Sequence, residues 1–296
     1  MLTGEEEVLY DRQIRLWGRD AQQCIRQTHA ILYGQFTGPS HELVKNLMLQ
    51  GVARISLVPK GPPVPAKSCL FTSHCGMDVM DNTEVAEMIQ REAAQLNPRV
   101  NLECVNIPVE ELLSTGEMTK VLVLLEEHSL EVAFDLNAFA RRNGVPSWWL
   151  LTGRTPSHTD DMGLLFCDLG DQHTYRKQPP PNPEEDQEKR EEIKETVSFV
   201  SFETLWKRHL ETESRLKEKT RRGMPVSFSP LLELVQNGFQ DLKPSAEPAA
   251  CCLGAILGAV VAQELNKAVT GRDLPIHNVL ILEASSFTSQ IISINS

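Results

Sequence analysis

The first half of the chain alternates short apolar runs with longer stretches in which apolar residues recur at helical spacing. The runs predict strands and the longer stretches predict helices. The predicted strands are 29–33, 53–58, 101–106, 120–125 and 146–151, and the predicted helices are 40–49, 83–96, 109–117 and 129–143. Strands joined by helical crossovers of this length form a parallel sheet with helices on both faces. The sequence therefore predicts an α/β fold.

The second half has a different pattern. Turn residues around an apolar strand at 153–170 predict antiparallel hairpins. The Pro-rich, charge-dense stretch 177–195 has almost no apolar residue and predicts a flexible excursion, because such a segment cannot bury apolar surface. Further helices are predicted at 202–222 and 229–236, and C-terminal antiparallel strands at 277–283 and 288–294. We expect residues 1–296 to form one domain.

One run, residues 248–262, is almost continuously apolar. It falls short of the ~20 residues that a membrane span requires, and Gln263 and Glu264 continue the same helix with polar side chains. A helix that is apolar on every side is typical of a protein core. Gly254 and Gly258 lie one turn apart, so we expect another element to approach the helix closely there.

Charge and cysteine content narrow the possible partners. The 296 residues include 40 acidic and 29 basic side chains, for a formal net charge of −11. Nucleic acid and anionic membranes both require a basic face, so neither is an expected main partner. Seven cysteines without regular spacing fit a reduced intracellular protein better than a disulfide framework. The acidic N-terminus lacks the apolar region of a secretory signal.

The most informative segment is YDRQIRLWGRDAQ at 10–22. One interpretation is an amphipathic lid helix, with Tyr10, Ile14, Leu16 and Trp17 packed inward and its arginines in water. The other is that Arg12 and Arg15 are presented to an anionic group.

This segment resembles the opening of eukaryotic activating enzymes for ubiquitin-like modifiers, which belong to the adenylation family of bacterial ThiF and MoeB. Three further stretches support the resemblance: HELVKNLMLQGVARISLV at 41–58, AAQLNPRVNLE at 93–103, and PAACCLGAILGAVVAQELNKAVTGRDLPIHNVLIL at 248–282. The last is similar to the end of the smaller (Aos-type) subunit of SUMO-activating enzymes. The resemblance implies a Rossmann-like ThiF-type fold, with a mostly parallel sheet and C-terminal antiparallel strands.

The nucleotide loop that the resemblance implies is degenerate. Active relatives carry three closely spaced glycines after the first strand, where the backbone approaches phosphates. Here only Gly34 and Gly38 remain, and Pro39 removes an amide donor. Ser40 is a plausible N-cap of the next helix without any phosphate.

Other parts of an adenylation site are also replaced. Val58, Pro59 and Lys60 stand where relatives carry the acid that binds the ribose, and Thr83, Glu84 and Val85 stand where they carry basic residues. Glu126 and Glu127 could bind a metal, but a pair of glutamates after a strand is more often a solvated helix start. Cys69, His74 and Cys75 match no standard zinc spacing, and Cys167, Cys251 and Cys252 are expected in the core. We expect no metal and no cofactor bound by this chain.

Two functions compete. In the first, the chain is the non-catalytic subunit of a heterodimeric SUMO-activating enzyme, whose larger subunit holds ATP, Mg²⁺ and the catalytic thiol. Arg12, assisted by Arg15, would then complete the partner's site in trans, and the complex would lie in the nucleus and cytoplasm. The second is a regulator or scaffold built on a decayed nucleotide fold, or the inactive subunit for another ubiquitin-like modifier. A NAD-dependent oxidoreductase is a distant third.

Overall fold

A computed structural model describes residues 2–67, 69–127, 129–154, 161–177, 193–208, 248–284 and 289–293. Three short helices come first: α1 (Gly4–Leu9), α2 (Asp11–Trp17) and α3 (Arg19–Ile25). The alternating half follows as β1 (Thr28–Gly34), α4 (Gly38–Gln50), β2 (Arg54–Pro59), β3 (Val64–Pro65), β4 (Val79–Met80), α5 (Asn82–Ala93), β5 (Asn101–Cys104), α6 (Val109–Ser114), β6 (Thr119–Leu125), α7 (Leu130–Arg142) and β7 (Ser147–Arg154).

The second half contributes β8 (Asp161–Asp168), β9 (His173–Lys177), β10 (Ile193–Val197), a helix α8 described over 202–208, α9 (Pro248–Thr270), β11 (Val279–Glu283) and β12 (Ser289–Ile292). The helix predicted at 229–236 and most of that predicted at 202–222 lie outside the described residues. The single-domain organisation of 1–296 therefore stays a prediction.

Eight strands form one sheet in the order β12-β11-β8-β7-β6-β1-β2-β5. The five strands from β7 to β5 are parallel, whereas β8, β11 and β12 are joined to the sheet by antiparallel pairing. The mostly parallel sheet and the antiparallel C-terminal strands confirm the predicted fold class. Because β1 lies between β2 and β6, Tyr33 pairs with Val58 on one side and Leu124 on the other, so three strands end at the same edge.

Side chains alternate between two apolar cores, one on each face of the sheet. Leu32 and Trp148 face the core that includes α4, α5 and α9. Ile31 and Trp149 face the core that includes α6 and α7. Near-continuous apolar strands are expected when helices cover both faces of a parallel sheet.

The predicted bounds of the excursion, 177–195, include residues that belong to two strands. Lys177 is the last residue of β9 and residues 193–195 belong to β10, and these two strands pair antiparallel, with Tyr175 opposite Glu195. Cross-strand hydrogen bonds stabilise a hairpin even where few residues are apolar. Only 178–192 remains of the predicted excursion, and that part lies outside the described residues.

Helix α9 packs against α4, which confirms the prediction that another element approaches closely at its two glycines. A Cβ on Gly254 would lie 3.0 Å from Pro39 Cδ, and one on Gly258 would lie 2.5 Å from the Pro39 carbonyl oxygen. Cys252–Thr270 is long and apolar enough to cross a bilayer by length and composition, but half of that window is buried inside the protein. The packing on α4 fits a core helix.

Candidate functional site

The loop that follows β1 lies at the carboxyl edge of the parallel strands, where ligands bind in folds of this class. Gly34 has a φ of 124°, and a Cβ there would lie 2.0 Å from the Leu125 carbonyl oxygen. Only glycine fits this approach of β1 to the end of β6. The packing of the two strands is therefore enough to explain why residue 34 is a glycine, without any bound phosphate.

Three amides of this loop are already bonded to the protein. The amide of Gln35 donates to the Leu125 carbonyl over 2.9 Å, and that of Phe36 donates to Asn82 Oδ1 over 2.8 Å. The Thr37 amide donates to the Gln35 carbonyl over 3.2 Å, and Pro39 has no amide hydrogen. A phosphate-binding loop needs amides that point at the ligand. These three point at protein oxygens instead.

Asn82 holds this arrangement together, and sequence reasoning did not identify it. Its side-chain nitrogen donates to the carbonyls of Gly34 and Lys60, over 2.8 Å in each case. The Lys60 amide in turn donates to the Gly34 carbonyl over 2.9 Å. Asn82 is buried, so these bonds are shielded from water. The only sequence signal was an Asp-Asn pair just ahead of a helical pattern.

The start of α4 differs from the prediction. Thr37 is the N-cap and Pro39 lies in the first turn, where proline is favoured because its missing amide costs nothing. Ser40, predicted as the N-cap, lies inside the helix, and its hydroxyl donates to the Thr37 carbonyl over 2.7 Å. The prediction was wrong because the proline places the helix start earlier.

Glu126, at the same edge of the sheet, also differs from its prediction. The predicted solvated helix start is wrong for it: Glu126 is only 4% exposed, has a φ of 49°, and precedes the true N-cap of α7, Ser129. Its carboxylate accepts hydrogen bonds from the backbone amide and the hydroxyl of Thr152. Burial raises its pKa to about 7, and the hydrogen bonds from Thr152 oppose that rise. Nothing in the pairing of two glutamates indicates such a burial.

A cavity of about 270 Å³ opens beside this edge, on the face of the sheet that carries α6 and α7. Tyr33, Lys60, Glu110 and Asp135 supply its polar groups. Burial, followed by the carboxylates of Glu127 and Glu110, raises the pKa of Tyr33. The acid that would bind a ribose is absent at the end of β2, where Val58 is buried and Lys60 is exposed. This edge of the sheet thus lacks the ribose-binding acid of related folds.

The segment around Arg12 lies far from this loop. Gln13 Nε2 donates to the Leu49 carbonyl over 2.9 Å, which places α2 at the C-terminal end of α4. Helix α4 rises about 18 Å between its first and last residues. Arg12 therefore lies at the opposite end of α4 from the degenerate loop.

The arginines of this segment differ in their partners. Arg15 forms an ion pair with Asp11 at 3.0 Å, and Arg19 forms one with Glu7 at 2.8 Å. Arg12 is exposed and makes no hydrogen bond or ion pair with any residue that the structure describes. The roles proposed for Arg12 and Arg15 remain predictions.

The packing of α2 is looser than predicted. None of its seven residues is buried, and Leu16, expected to face inward, is 69% exposed. Tyr10, immediately before the helix, is 2% exposed and supplies the buried contact. Ile14 and Trp17 are partly buried, so Leu16 is the residue that departs most from the predicted inward face.

The described cysteines do not belong to any cluster of potential metal ligands. Within the described ranges no group of three His, Cys, Asp or Glu side chains is placed to hold a metal ion. Cys69 and Cys167 are buried, and burial raises the pKa of Cys167. Cys252 is exposed, so its predicted place in the core is wrong. The side chain of Cys251 is outside the described part.

Comparison with known proteins gives relatives with one recurring name. The chain is 25% identical to "SUMO-activating enzyme subunit 1" of Danio rerio over 333 aligned positions, covering 96% of this chain and 93% of that protein. It is 26% identical to "SUMO-activating enzyme subunit 1A" of Arabidopsis thaliana, covering 94% and 92%. The Dictyostelium discoideum subunit 1 is 29% identical, and there the match spans 60% of this chain and about half (51%) of that relative. No protein-family model matches the chain.

Solved structures share the fold. The crystal structure of PaaA superimposes with a TM-score of 0.59 and 16% identity, covering 100% of this chain and 75% of that one. Escherichia coli MccB gives a TM-score of 0.58 and 12% identity, covering 97% and 72%. At these identities the likeness concerns the fold alone. It agrees with the ThiF-type architecture predicted from the sequence.

Proposed function

We propose that this chain is the non-catalytic subunit of a heterodimeric SUMO-activating enzyme. The proposal is supported by relatives that bear the name of subunit 1 of that enzyme and align over most of the chain. The larger subunit would hold ATP, Mg²⁺ and the thiol, and the modifier would be activated there.

The observation that carries the proposal is the state of Arg12. The two neighbouring arginines of the segment, Arg15 and Arg19, each pair with an acid. Arg12 has no such partner among the described residues, although it lies on a helix anchored at its start by Tyr10. An arginine left free on a fixed helix can offer its planar fork to a phosphate of another molecule. It can act only in trans, because its own loop lies about 18 Å away along α4.

The loop of this chain also supports the proposal that the nucleotide is held by the partner subunit. The amides of Gln35, Phe36 and Thr37 are bonded to protein oxygens, and the end of β2 has no acid for a ribose. The proposed reaction therefore uses no nucleotide held by this chain. The chemistry that its residues supply is positive charge: Arg12 stabilises charge that develops on the triphosphate in the partner's site during adenylation, and Arg15 assists.

A regulator or scaffold on the same fold is the alternative, as is the inactive subunit for a different ubiquitin-like modifier. A scaffold has no need of an unpaired arginine on an anchored helix, and this favours the subunit. The names of the aligned relatives favour SUMO over other modifiers.

The proposal is tested by ATP–pyrophosphate exchange in the complex reconstituted with a larger activating subunit. Arg12→Ala is expected to slow exchange at least a hundredfold, since loss of one such stabiliser costs on the order of 3 kcal/mol. Arg12→Lys should restore only part of the rate, because an ammonium lacks the bidentate fork.

Arg19→Ala is the matched control, because it removes an exposed arginine from the same segment that already has an acidic partner. We expect it to leave exchange unchanged, and gel filtration should show intact complexes for all variants. An unchanged exchange rate for Arg12→Ala in an intact complex would refute the proposed role.

A further inference from the structure

Three stretches that are distant in sequence meet at the hydroxyl of Tyr10. Asn97 Nδ2 donates to this hydroxyl over 2.9 Å and also approaches the Met48 carbonyl oxygen, near the end of α4, at 2.9 Å. Asn97 Oδ1 accepts from the Arg99 amide over 3.2 Å. Both Tyr10 and Asn97 are buried, so these bonds are shielded from competing water.

Gly51 provides the space for this contact. It ends α4 with a φ of 77°, in the left-handed region that favours glycine. A Cβ on residue 51 would lie 2.2 Å from the Tyr10 hydroxyl oxygen and 2.4 Å from its ring carbon Cζ. Any side chain at this position would expel the tyrosine.

This contact determines where α2 lies. The Tyr10 carbonyl accepts the first hydrogen bond of the helix, from the Ile14 amide at 2.8 Å. No residue of the helix is fully buried, and its own apolar contacts come from Ile14 and Trp17, which are only partly buried. Tyr10 at one end, the Gln13 bond to Leu49 and the turn at Gly18 add to the attachment of the helix. Arg12 is two residues from Tyr10 in the same rigid turn.

We propose that Tyr10 and Asn97 are positioning residues that fix the direction of Arg12. The inference rests on the proposed function and adds residues that contact neither substrate nor nucleotide. The apolar ring of Tyr10 keeps the segment folded, while the hydroxyl bond to Asn97 sets the rotation and depth of α2. Small displacements of a charged group that acts on a reaction centre have large kinetic effects.

The test is a double-mutant cycle with Tyr10→Phe and Arg12→Ala in the reconstituted complex, read by ATP–pyrophosphate exchange. Tyr10→Phe keeps the ring and removes one hydroxyl. We expect it to slow exchange about three- to tenfold when Arg12 is present. It should have no effect when Arg12 is already alanine, because residues that act through one another are not additive. Tyr175→Phe is the matched control, since it removes a hydroxyl bonded to Glu195 in the β9–β10 hairpin.

A second measurement needs no partner subunit. Hydrogen–deuterium exchange of the isolated chain should be faster in residues 11–17 of Tyr10→Phe than in the unsubstituted chain, with α4 and the Tyr175→Phe control unchanged.

The outcomes separate the two proposals. Equal slowing by Tyr10→Phe in both backgrounds, or no slowing at all, overturns the positioning role while leaving Arg12 in place. Unchanged exchange of 11–17 overturns it as well. If Arg12→Ala itself has no effect, the proposed function fails and the positioning role fails with it.

Discussion

The carboxylate of Glu126, at the end of β6, accepts hydrogen bonds from both the backbone amide and the hydroxyl of Thr152, in the neighbouring strand β7. The pair lies beside the degenerate loop. Gln35 Nε2, in that loop, donates to the Glu126 carbonyl oxygen over 2.9 Å. A buried acid that is held by neutral hydrogen-bond donors is costly to ionise.

The first prediction concerns the pH dependence of this carboxyl. Its folded pKa is raised from 4.5 to about 7, so the folded state binds more protons than the unfolded state between these values. Its contribution to stability is therefore present below pH 4.5 and is lost as pH rises through 7. Glu126→Gln stays neutral and can keep both contacts with Thr152. We expect its unfolding free energy to exceed that of the unsubstituted chain by about 1 kcal/mol at pH 5 and by about 3 kcal/mol at pH 8.

Urea denaturation at pH 5, 6, 7 and 8 measures this difference. Glu127→Gln is the control, because it makes the same change at the next residue, which is only partly buried. A difference between Glu126→Gln and the unsubstituted chain that is constant with pH would show that Glu126 does not titrate in this range.

The second prediction concerns His41, whose pKa is lowered by burial, whereas that of Glu126 is raised. His41 is fully buried, and its Nδ1 accepts from the Phe71 amide over 3.1 Å. Burial lowers its pKa to about 3, against a weaker effect of a hydrogen bond with the Phe36 backbone. The unfolded state then binds more protons below pH 6.5, so stability is full above that value and falls as pH drops toward 3.

His41→Asn can keep an acceptor near Nδ1 and does not titrate. Between pH 7.5 and 5 we expect the unsubstituted chain to lose about 2 kcal/mol more than this variant, as measured by urea denaturation. His74→Asn changes an exposed histidine and should leave the pH dependence as it is. If His41→Asn and His74→Asn behave alike, the burial of His41 does not control the acid response.

The third prediction tests how closely α9 approaches the start of α4. Gly258→Ala would bring a methyl group within 2.5 Å of the Pro39 carbonyl oxygen and 2.9 Å of the Leu43 backbone nitrogen. Alanine favours helix by about 1 kcal/mol, but overpacking against backbone costs about 1–3 kcal/mol, so we expect a net loss of stability. Gly38→Ala is the matched control, since a Cβ on Gly38 meets nothing within 4 Å. Thermal unfolding of both variants decides the matter; a stabilised Gly258→Ala would mean that the two helices are farther apart.

These residues also show what the sequence could and could not reveal. Apolar periodicity placed β1, α4 and α9 within a few residues, because burial on both faces of a sheet or all around a helix leaves a local pattern. The two glycines of α9 had a local spacing that indicated close packing. The convergence of Tyr10, Gly51 and Asn97 has no local pattern, since it depends on contacts between residues up to 87 positions apart.

The same limit explains the errors at the candidate site. Whether Glu126 is solvated depends on Thr152 and on the position of the next strand, and neither is encoded near residue 126. The loop itself was predicted as degenerate from its missing glycine and its proline. The Phe36 amide faces the protein because it donates to the side chain of Asn82, a residue 46 positions away.

The last prediction concerns nucleotide stoichiometry. The amides of Gln35, Phe36 and Thr37 are bonded within the protein, and a ligand phosphate would have to compete with these bonds in a buried setting. The isolated chain should therefore give no heat of binding with Mg-ATP in calorimetry. The reconstituted complex, by contrast, should bind one nucleotide per heterodimer, in the larger subunit. Asn82→Ala frees the Phe36 amide but restores neither the missing glycine nor a ribose acid, so it should not create binding. Micromolar binding by the isolated chain, or two nucleotides per complex, would show that the loop opens to accept a phosphate and that this chain keeps a working site.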